Sequence, residues 1–363
     1  MSENSDDGWT IFLPKERREV ELDKKDLLIM QTLSENCRTT LPVMRRIVGL
    51  SKSSILNRIE RLERIGVIRG YSTIVNIHRL GLRMFSVLIS SNMTLNEKIE
   101  FGRSCEKIPS LNQVLTFQTG PWDLMLRLYA KDNRYLDHIL TQITAKGKIA
   151  DLEILELDDW FFLPINYLQV ETHLDNHCTK SDTSFQHILR KRKPVLDPRH
   201  DIKDIRILGV LAKNPRISLS HLGEKAGMSA DAVKDRIARL ADQGIIGHFF
   251  ANLDPYMLGL SGYVLFVQVF DRSRMKQMIE FLMRQPQMQG GVLKYTGAWN
   301  LQAFLVVKDV MDLRAFEENF ISHFGGSIHK YLIAQLAEQT YYSLFPAEIQ
   351  KVAEESISEH APR

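Results

Sequence analysis

The chain has few of the features that reveal a function class directly. Its 47 basic and 44 acidic residues give a net charge of only +3 over 363 residues. A nucleic-acid-binding protein of this composition must therefore concentrate its positive charge locally. No stretch approaches the roughly 20 apolar residues of a membrane helix, and residues 1–21 lack the apolar core of a signal peptide. The three cysteines, Cys37, Cys105 and Cys178, are scattered, which argues against a disulfide framework and predicts a cytoplasmic location.

Sequence strings that carry enzyme chemistry are missing as well. The chain contains no glycine-rich phosphate loop, no nucleophile elbow and no HExxH zinc string. One pattern, His173-x-x-x-His177-Cys178, has a spacing that suits a metal ion if the segment is helical. It occurs once, in a polar stretch, which favours solvent-exposed side chains over metal ligands. We therefore expect no catalytic residue, no metal and no cofactor.

An internal repeat determines the expected architecture. Asp23 and Asp26 reappear as Asp201 and Asp204, and the offset of 178 residues then continues without a gap. Chance does not produce such a series, so the chain is a tandem duplication. Further pairs at this offset are Asn36 with Asn214, Arg38 with Arg216, Gly49 with Gly227, Ser51 with Ser229, Arg58 with Arg236 and Gly66 with Gly244.

The first part of each copy has the pattern of a helix-turn-helix. Apolar residues at helical spacing predict one helix over residues 24–35 and a short second helix over residues 40–48. Gly49 then ends the second helix, and Ser51 caps a third helix whose outer face is basic and polar. Gly66 ends that helix, and residues 67–75 follow as a strand or a β-hairpin wing. A plain three-helix bundle with a solvated basic face is the alternative interpretation.

The second part of each copy alternates strand and helix patterns in the order β-α-β-β-α-β, which is ferredoxin-like. The expected fold is therefore α+β, with two winged helix-turn-helix domains alternating with two ferredoxin-like domains. Pairing between the two sheets would cover the open face of each and make the chain its own pseudo-dimer. The expected boundaries are an arm at 1–21, helix-turn-helix domains at 22–80 and 200–258, ferredoxin-like domains at 81–169 and 259–347, a linker at 170–199 and a polar tail at 348–363.

Two connecting segments have polar compositions. Residues 1–21 carry one small apolar cluster and are interpreted as a flexible arm or a strap over a partner. Residues 170–199 have the composition of a linker and contain the basic run Arg190–Lys193, closed by Pro194 and Pro198. A solvated charge run is the favoured interpretation of these four residues, and phosphate contact is the alternative.

The two third helices differ in charge, which predicts unequal DNA binding. Residues 52–64 hold four basic and two acidic side chains, whereas residues 230–242 hold three of each. Asp235 also replaces Asn57, which puts a carboxylate where an amide could read a base. Since phosphate neutralisation dominates affinity, we expect the first copy to supply most of it. The candidate DNA-contacting residues are Arg45, Arg46, Lys52, Ser53, Ser54, Asn57, Arg58 and Arg61 in the first copy and Lys234, Arg236 and Arg239 in the second.

The pattern of the first copy resembles the DNA-binding domain of the Lrp/AsnC family, bacterial and archaeal regulators similar to leucine- and asparagine-responsive proteins. It consists of Leu22-Asp23-x-x-Asp26, Arg38, Gly49-Leu50-Ser51 and Arg58-Ile59-x-x-Leu62-Glu63-x-x-Gly66-Val67-Ile68-x-Gly70-Tyr71. The second copy keeps most of these residues but has Phe249 and Ala241 in place of Tyr71 and Glu63. The resemblance extends from Leu22 to about Pro346.

The resemblance implies an effector site at a loop that occurs in both copies. In this family the effector cleft lies at such loops between paired domains, and the paired domains assemble into homo-oligomers. A β-turn with a packed tryptophan is the alternative interpretation. Asn300 in place of Asp123 removes a charge, so the two clefts differ in ligand preference or only one binds a ligand. The loop residues are Thr119, Gly120, Trp122 and Asp123 in the first copy and Thr296, Gly297, Trp299 and Asn300 in the second.

These observations predict a sequence-specific transcriptional regulator that binds double-stranded DNA and a small-molecule effector such as an amino acid, away from membranes. Paired modules of this kind also resemble siroheme decarboxylases, enzymes that need a tetrapyrrole cleft with His and Arg donors. His248, His323 and His329 are available for such a cleft, but only in the second copy and without a recognisable pattern. A third possibility is a co-regulator that pairs with other family members and touches DNA with one head.

Overall fold

The computed structural model describes residues 11–12, 20–108, 110–163, 165–168, 201–342 and 345. Its elements follow the duplicated α+β order predicted above, which confirms the fold class. In the first copy they are β1 (Ile11–Phe12), α1 (Lys24–Glu35), α2 (Leu41–Val48), α3 (Lys52–Arg64), β2 (Ile68–Val75), β3 (Arg83–Ser91), α4 (Leu95–Cys105), β4 (Leu111–Phe117), β5 (Leu124–Ala130), α5 (Asn133–Thr144) and β6 (Ile149–Phe161). In the second copy they are α6 (Ile202–Lys213), α7 (Leu219–Ala226), α8 (Ala230–Asp242), β7 (Ile246–Leu253), β8 (Ser261–Val269), α9 (Met275–Met283), β9 (Met288–Thr296), β10 (Leu301–Val307), α10 (Val310–Phe324) and β11 (Ile328–Tyr342).

Each helix-turn-helix begins and turns as its sequence predicts. The Asp23 carboxylate accepts a hydrogen bond from the Asp26 N–H, and the Asp26 carboxylate accepts one from the Asp23 N–H. This reciprocal capping box starts α1, and the equivalent aspartates start α6 in the same way. Gly49 lies between α2 and α3 in the left-handed region, at φ 70°, where a side chain would be strained.

The strand after each helix-turn-helix joins the two copies. From the sequence alone, residues 67–75 are compatible with either a single strand or a β-hairpin. In the structure β2 is a single strand that pairs antiparallel with β7, its counterpart in the other copy. Helix α1 packs on β7 and α6 packs on β2, so each helical unit rests on the strand of the other. The two helix-turn-helix units are therefore held in a fixed pair by one two-stranded ribbon.

The two ferredoxin-like sheets close into one antiparallel barrel. The strand order is β11-β4-β5-β3-β6-β9-β10-β8, and β11 also pairs with β8. Closure depends on the two long strands β6 and β11, of 13 and 15 residues. The first half of each pairs within its own domain, with β3 or β8, and the second half pairs with β9 or β4 of the other domain. These eight strands therefore leave no free edge between the two domains.

The barrel separates the hydrophobic core into inner and outer layers. Helices α4 and α5 cover one half of its outer surface, and α9 and α10 cover the other half. The inner layer is rich in aromatic side chains and continues into the core of the second helix-turn-helix. The end of the barrel away from the helix-turn-helix pair is filled by Trp122, Trp299 and Phe266, whose rings are in edge contact.

The structure describes only a small part of the arm, linker and tail that the sequence predicts. Ile11 and Phe12 of the expected arm pair with Gln339 and Glu338 of β11, so this piece adds a strand to the sheet of its own chain. Most of the arm, the linker, the polar tail, Cys178 and the His173-x-x-x-His177-Cys178 pattern lie outside the described residues. Within the described ranges, no helix is long and apolar enough to cross a membrane.

Candidate functional site

Several exposed polar and basic side chains of the first helix-turn-helix lie around the start of α3. Lys52, Ser53 and Asn57 are exposed on the first two turns of this helix, and Ser54 is partly exposed. Ser51 caps the helix by accepting a hydrogen bond from the Ser54 N–H at 3.2 Å. Arg45 and Arg46 are exposed on the last turn of α2.

Arg58 and Arg61 point in a different direction from these residues. Arg58 Nη1 lies 2.8 Å from Asp26 Oδ1, and Arg61 Nη2 lies 2.5 Å from Asp26 Oδ2. Arg58 also contacts Asp23 at 2.8 Å. These hydrogen bonds, above all the one to Asp26, raise the pKa of Arg58. Both arginines therefore join α3 to the capping box of α1, and their charge is already compensated by protein carboxylates.

The second copy repeats these ion pairs. Arg236 Nη1 lies 2.6 Å from Asp201 Oδ1, and Arg239 Nη2 lies 2.6 Å from Asp204 Oδ2. This structural use of the four arginines was not inferred from the sequence. A signal was available, because both the aspartates and the arginines recur at the offset of 178.

The second copy lacks the exposed cations of the first. At the offset of 178, Arg45, Arg46 and Lys52 correspond to Gly223, Glu224 and Ala230. Lys234 is exposed on α8, but Asp231 and Asp235 are exposed on the same helix. A Cβ at Gly223 would lie 2.5 Å from the Met228 carbonyl oxygen, so the backbone there excludes a side chain such as that of Arg45.

Arg38 and Arg216 are equivalent residues of the two copies, each in the turn between the first two helices of its unit. Each contacts an aromatic residue on the ribbon strand of the other copy. Arg216 Nη1 donates to the Tyr71 hydroxyl at 2.7 Å and stacks over its ring. The Tyr71 hydroxyl in turn donates to Glu63 Oε1 at 2.5 Å. Arg38 stacks over Phe249, which has no hydroxyl, and donates instead to the carbonyl oxygens of the turn that precedes α7. The replacement of Tyr71 by Phe249 in the second copy therefore lies at this interface.

In the first copy's loop, where the sequence predicts an effector site, the side chains of Thr119 and Asp123 both contact other parts of the protein. Thr119 Oγ1 accepts a hydrogen bond from the Gln335 N–H at 3.0 Å. Asp123 Oδ2 accepts from the Ser91 N–H and hydroxyl, and Asp123 Oδ1 lies 2.5 Å from Lys98 Nζ. Gly120 has a φ of 112°, and a Cβ there would lie 3.3 Å from the Cβ of a β11 alanine.

The loop of the second copy reaches the same end of the barrel. Trp299 contacts Trp122 with a centroid distance of 5.3 Å. Asn300 Oδ1 accepts from the Val269 N–H at 2.8 Å, and its Nδ2 donates to the Gly297 carbonyl at 3.2 Å. Thr296 Oγ1 donates to a β6 carbonyl at 3.3 Å. The structure thus brings the two loops together, and their described bonds are those of packed turns.

The side chains considered for enzyme or metal chemistry are dispersed. His248 packs on Phe162, while His323 stacks on Phe281 in another part of the molecule, and His329 is exposed at the start of β11. Cys37 and Cys105 are both buried. Among the described residues, no group of three or more His, Cys, Asp or Glu side chains has an arrangement that could hold a metal ion.

Comparisons with protein families and curated proteins identify both helix-turn-helix units. A family model for the AsnC-type helix-turn-helix domain matches residues 201–241, and one for a winged helix-turn-helix DNA-binding domain matches residues 22–69. An uncharacterised HTH-type transcriptional regulator of Pyrococcus furiosus is 34% identical over 124 residues, which are 34% of this chain and 79% of that protein. One of Pyrococcus horikoshii is 47% identical over 124 residues, with the same coverage. The transcriptional regulator AzlB of Bacillus subtilis is 27% identical over 137 residues, 37% of this chain and 87% of AzlB.

Solved structures of one protein, with and without a bound tetrapyrrole analogue, are similar over nearly the whole chain. The structure of the siroheme decarboxylase NirDL superimposes on this chain with a TM-score of 0.57. The match covers 93% of this chain and 99% of the NirDL chain, at 14% sequence identity. At that identity the likeness shows a shared fold, whereas the relatives by sequence are regulators. The identity to the Pyrococcus proteins over most of their length, together with both helix-turn-helix matches, establishes the class. The chain belongs to the Lrp/AsnC family and is a transcriptional regulator of that type.

Proposed function

We propose that this regulator binds double-stranded DNA sequence-specifically in the cytoplasm, and that the first helix-turn-helix supplies most of the affinity. One observation supports this difference in DNA affinity between the two units. Arg45, Arg46 and Lys52 are exposed and form no ion pair among the described residues, whereas their counterparts in the second copy are Gly, Glu and Ala. At these three positions the first copy therefore has three cations, whereas the second copy has one anion and no cation.

The physical basis is the release of counterions from DNA. Each phosphate that a Lys or Arg neutralises contributes about 0.9 to the slope of log affinity against log salt concentration. Arg58 and Arg61 are bound to Asp23 and Asp26, so their contribution to this term is smaller than the sequence suggests. The exposed Ser53 and Asn57, on the first turns of α3, have the donors and acceptors needed to read base edges.

The test is a salt titration of a fluorescent duplex from the regulator's own upstream region, with a scrambled duplex as reference. The variant Arg45→Ala/Arg46→Ala/Lys52→Ala is expected to lose most of the affinity and to reduce the salt slope by about 2 to 3. The matched control is Lys225→Ala/Lys234→Ala, which removes exposed lysines from α7 and α8 and is expected to change little. Equal losses in both variants would refute the asymmetry. Absence of binding by the unaltered protein at low salt would favour the siroheme decarboxylase alternative.

We also propose that a small molecule such as an amino acid acts at the paired tryptophan loops, and that chains associate further through the sensing domains. Support comes from the contact between Trp122 and Trp299, by which the two loops adjoin each other. Exposed apolar residues, among them Phe270, Val310 and Met311, offer surface for association. Amino acids that raise the melting temperature of the unaltered protein, but not of an Asp123→Asn variant, would support the effector site. Sedimentation that yields only single chains at all concentrations would reject the association.

A further inference from the structure

A cavity lies at the other end of the barrel, between its open mouth and the helix-turn-helix pair. It encloses about 120 Å³. Its walls come from the barrel, through residues such as Arg127, Trp160 and Phe304, and from the helix-turn-helix pair, through Ser34 of α1 and Phe250 of β7. It is separate from the tryptophan loops, which fill the opposite end of the barrel.

Among the described residues that line this cavity, Arg127 is the one charged side chain, and none is acidic. Arg127 is 3% exposed, and neither its Nε nor its Nη2 has a hydrogen-bond partner among the described residues. Its guanidinium lies over the Phe304 ring, 5.8 Å from the centroid. Gln113, paired with Arg127 across β4 and β5, also lines the cavity, and its Oε1 is likewise without a partner.

A buried guanidinium such as that of Arg127 lowers the free energy of unfolding unless an anion binds to it. An arginine does not give up its proton inside a protein, so burial cannot be relieved by neutralisation, and each unsatisfied polar group carries a desolvation penalty. The duplicated sheet shows that the barrel does not need this arginine. At the offset of 177 that relates the two loops, the counterpart of Arg127 is Phe304, which builds the same wall with an apolar ring.

We propose that Arg127 anchors a small organic carboxylate in this cavity. The planar guanidinium offers two parallel N–H groups to a carboxylate, and Gln113 Oε1 can accept a hydrogen bond from a hydroxyl or amine on the same ligand. Trp160, Phe162 and Phe250 provide an apolar and aromatic wall for a compact body. Trp160 is held in place because its Nε1 donates to the Gly290 carbonyl at 2.8 Å.

The volume limits the size of this ligand. A dry engineered cavity of about 150 Å³ binds benzene, so a cavity of about 120 Å³ accepts an anion of similar size. A carboxylate here contacts α1 and β7 as well as the barrel, since both elements line the cavity. Its binding is therefore coupled to the placement of the two DNA-binding units, and this coupling, unlike the binding itself, rests on the proposed function.

The test measures ligand binding without DNA, by the melting temperature and by calorimetry. The probes are acetate, isovalerate, benzoate and phenylacetate, with benzyl alcohol as the neutral analogue of benzoate. We expect at least one carboxylate to raise the melting temperature in proportion to the logarithm of its concentration, while benzyl alcohol raises it less. The variant Arg127→Met is expected to lose this shift and to melt higher than the unaltered protein when no ligand is added. Arg83→Met, which removes a partly exposed arginine paired with Glu156 at 2.6 Å, should retain the shift.

Several results would overturn the proposal. They are the absence of a shift with all four carboxylates in the unaltered protein, an equal shift with benzyl alcohol, or an undiminished shift in Arg127→Met. If Arg127→Met does not fold, the comparison of benzoate with benzyl alcohol on the unaltered protein still tests the proposal. The variant Arg127→Lys is a second test, because it keeps the charge and should retain a weaker rise in melting temperature with the carboxylates. Because no DNA is present, failure here leaves the DNA-binding proposal untouched.

Discussion

At the scale of single residues, basic side chains on adjacent helical turns have separate roles. Arg58 and Arg61 compensate Asp26, whose side chain is only 2% exposed, whereas Arg45 and Arg46 extend into solvent. The sequence predicted all four as DNA contacts because they share a charge and a helical surface. Which arginine faces a carboxylate depends on how α1 packs against α3, and periodicity does not report that packing.

The first prediction separates these roles by stability. Arg58→Ala/Arg61→Ala leaves Asp26 buried without a cation, and breaking such a pair costs about 3 kcal/mol. Arg45→Ala/Arg46→Ala removes exposed side chains and should change the free energy of unfolding by less than about 0.5 kcal/mol. Urea unfolding of both double variants measures the difference. Equal stabilities would show that the ion pairs with Asp23 and Asp26 contribute little.

Tyr71 is a second residue whose role depends on the other copy. Its hydroxyl accepts from Arg216 and donates to Glu63, and burial raises its pKa far above the ordinary value for tyrosine. Tyr71→Phe, which copies Phe249 of the second unit, is expected to lower the free energy of unfolding by about 1 kcal/mol. The same substitution in an Arg216→Ala background should cost clearly less. A full loss in that background would mean that the hydroxyl acts independently of Arg216.

At the scale of elements, local patterns predicted the helices well and the long strands only in part. Apolar runs in the sequence predict a last strand at residues 149–157 in one ferredoxin-like domain and at 328–336 in the other. In the structure β6 and β11 continue to Phe161 and Tyr342. The extra residues pair with β9 and β4 of the other copy. Pairing over such separations leaves no local periodic signal, and for the same reason the cavity around Arg127 was not foreseen.

The ribbon of β2 and β7 contains a titratable group that predicts a pH dependence. His248 packs between Phe162 and Phe250 against α1, and burial lowers its pKa from 6.5 to about 4. Because the unfolded chain takes up a proton at higher pH than the folded one, protonation destabilises the fold as pH falls from 6.5 towards 4. The difference between these two pKa values corresponds to about 3 kcal/mol of unfolding free energy across this pH range.

The variant His248→Phe checks this dependence. It keeps the aromatic contacts and removes the proton site, at the cost of the hydrogen bonds that His248 forms with the backbone of Ser34 and Glu35. That cost is present over the whole pH range, so the pH dependence still isolates the titration. The difference in unfolding free energy between the variant and the unaltered protein should grow in favour of the variant as pH falls from 6.5 to 4. Parallel stability curves over that range would show that His248 is not the group responsible.

At the scale of the whole molecule, duplication has produced one cooperative unit from two modules. The copies share the β2–β7 ribbon and both barrel seams, and the inner core of the barrel continues into the second helix-turn-helix. A module that lost its partner would expose two sheet edges and the strand on which the other helical unit rests. Local melting of one module therefore removes supporting contacts from the other, which is the condition for concerted unfolding.

Concerted unfolding is testable because two optical signals come from different parts of the chain. Trp122, Trp160 and Trp299 lie in the barrel, so tryptophan fluorescence reports mainly on it, whereas far-UV circular dichroism also follows the helix-turn-helix units. We expect the two signals to give coincident urea transitions. A helical signal lost at lower urea than the fluorescence would mean that the ribbon and its helices melt independently of the barrel. In that case a ligand at Arg127, which touches both parts, should bring the two transitions together, because it would bind only where barrel and ribbon are both folded.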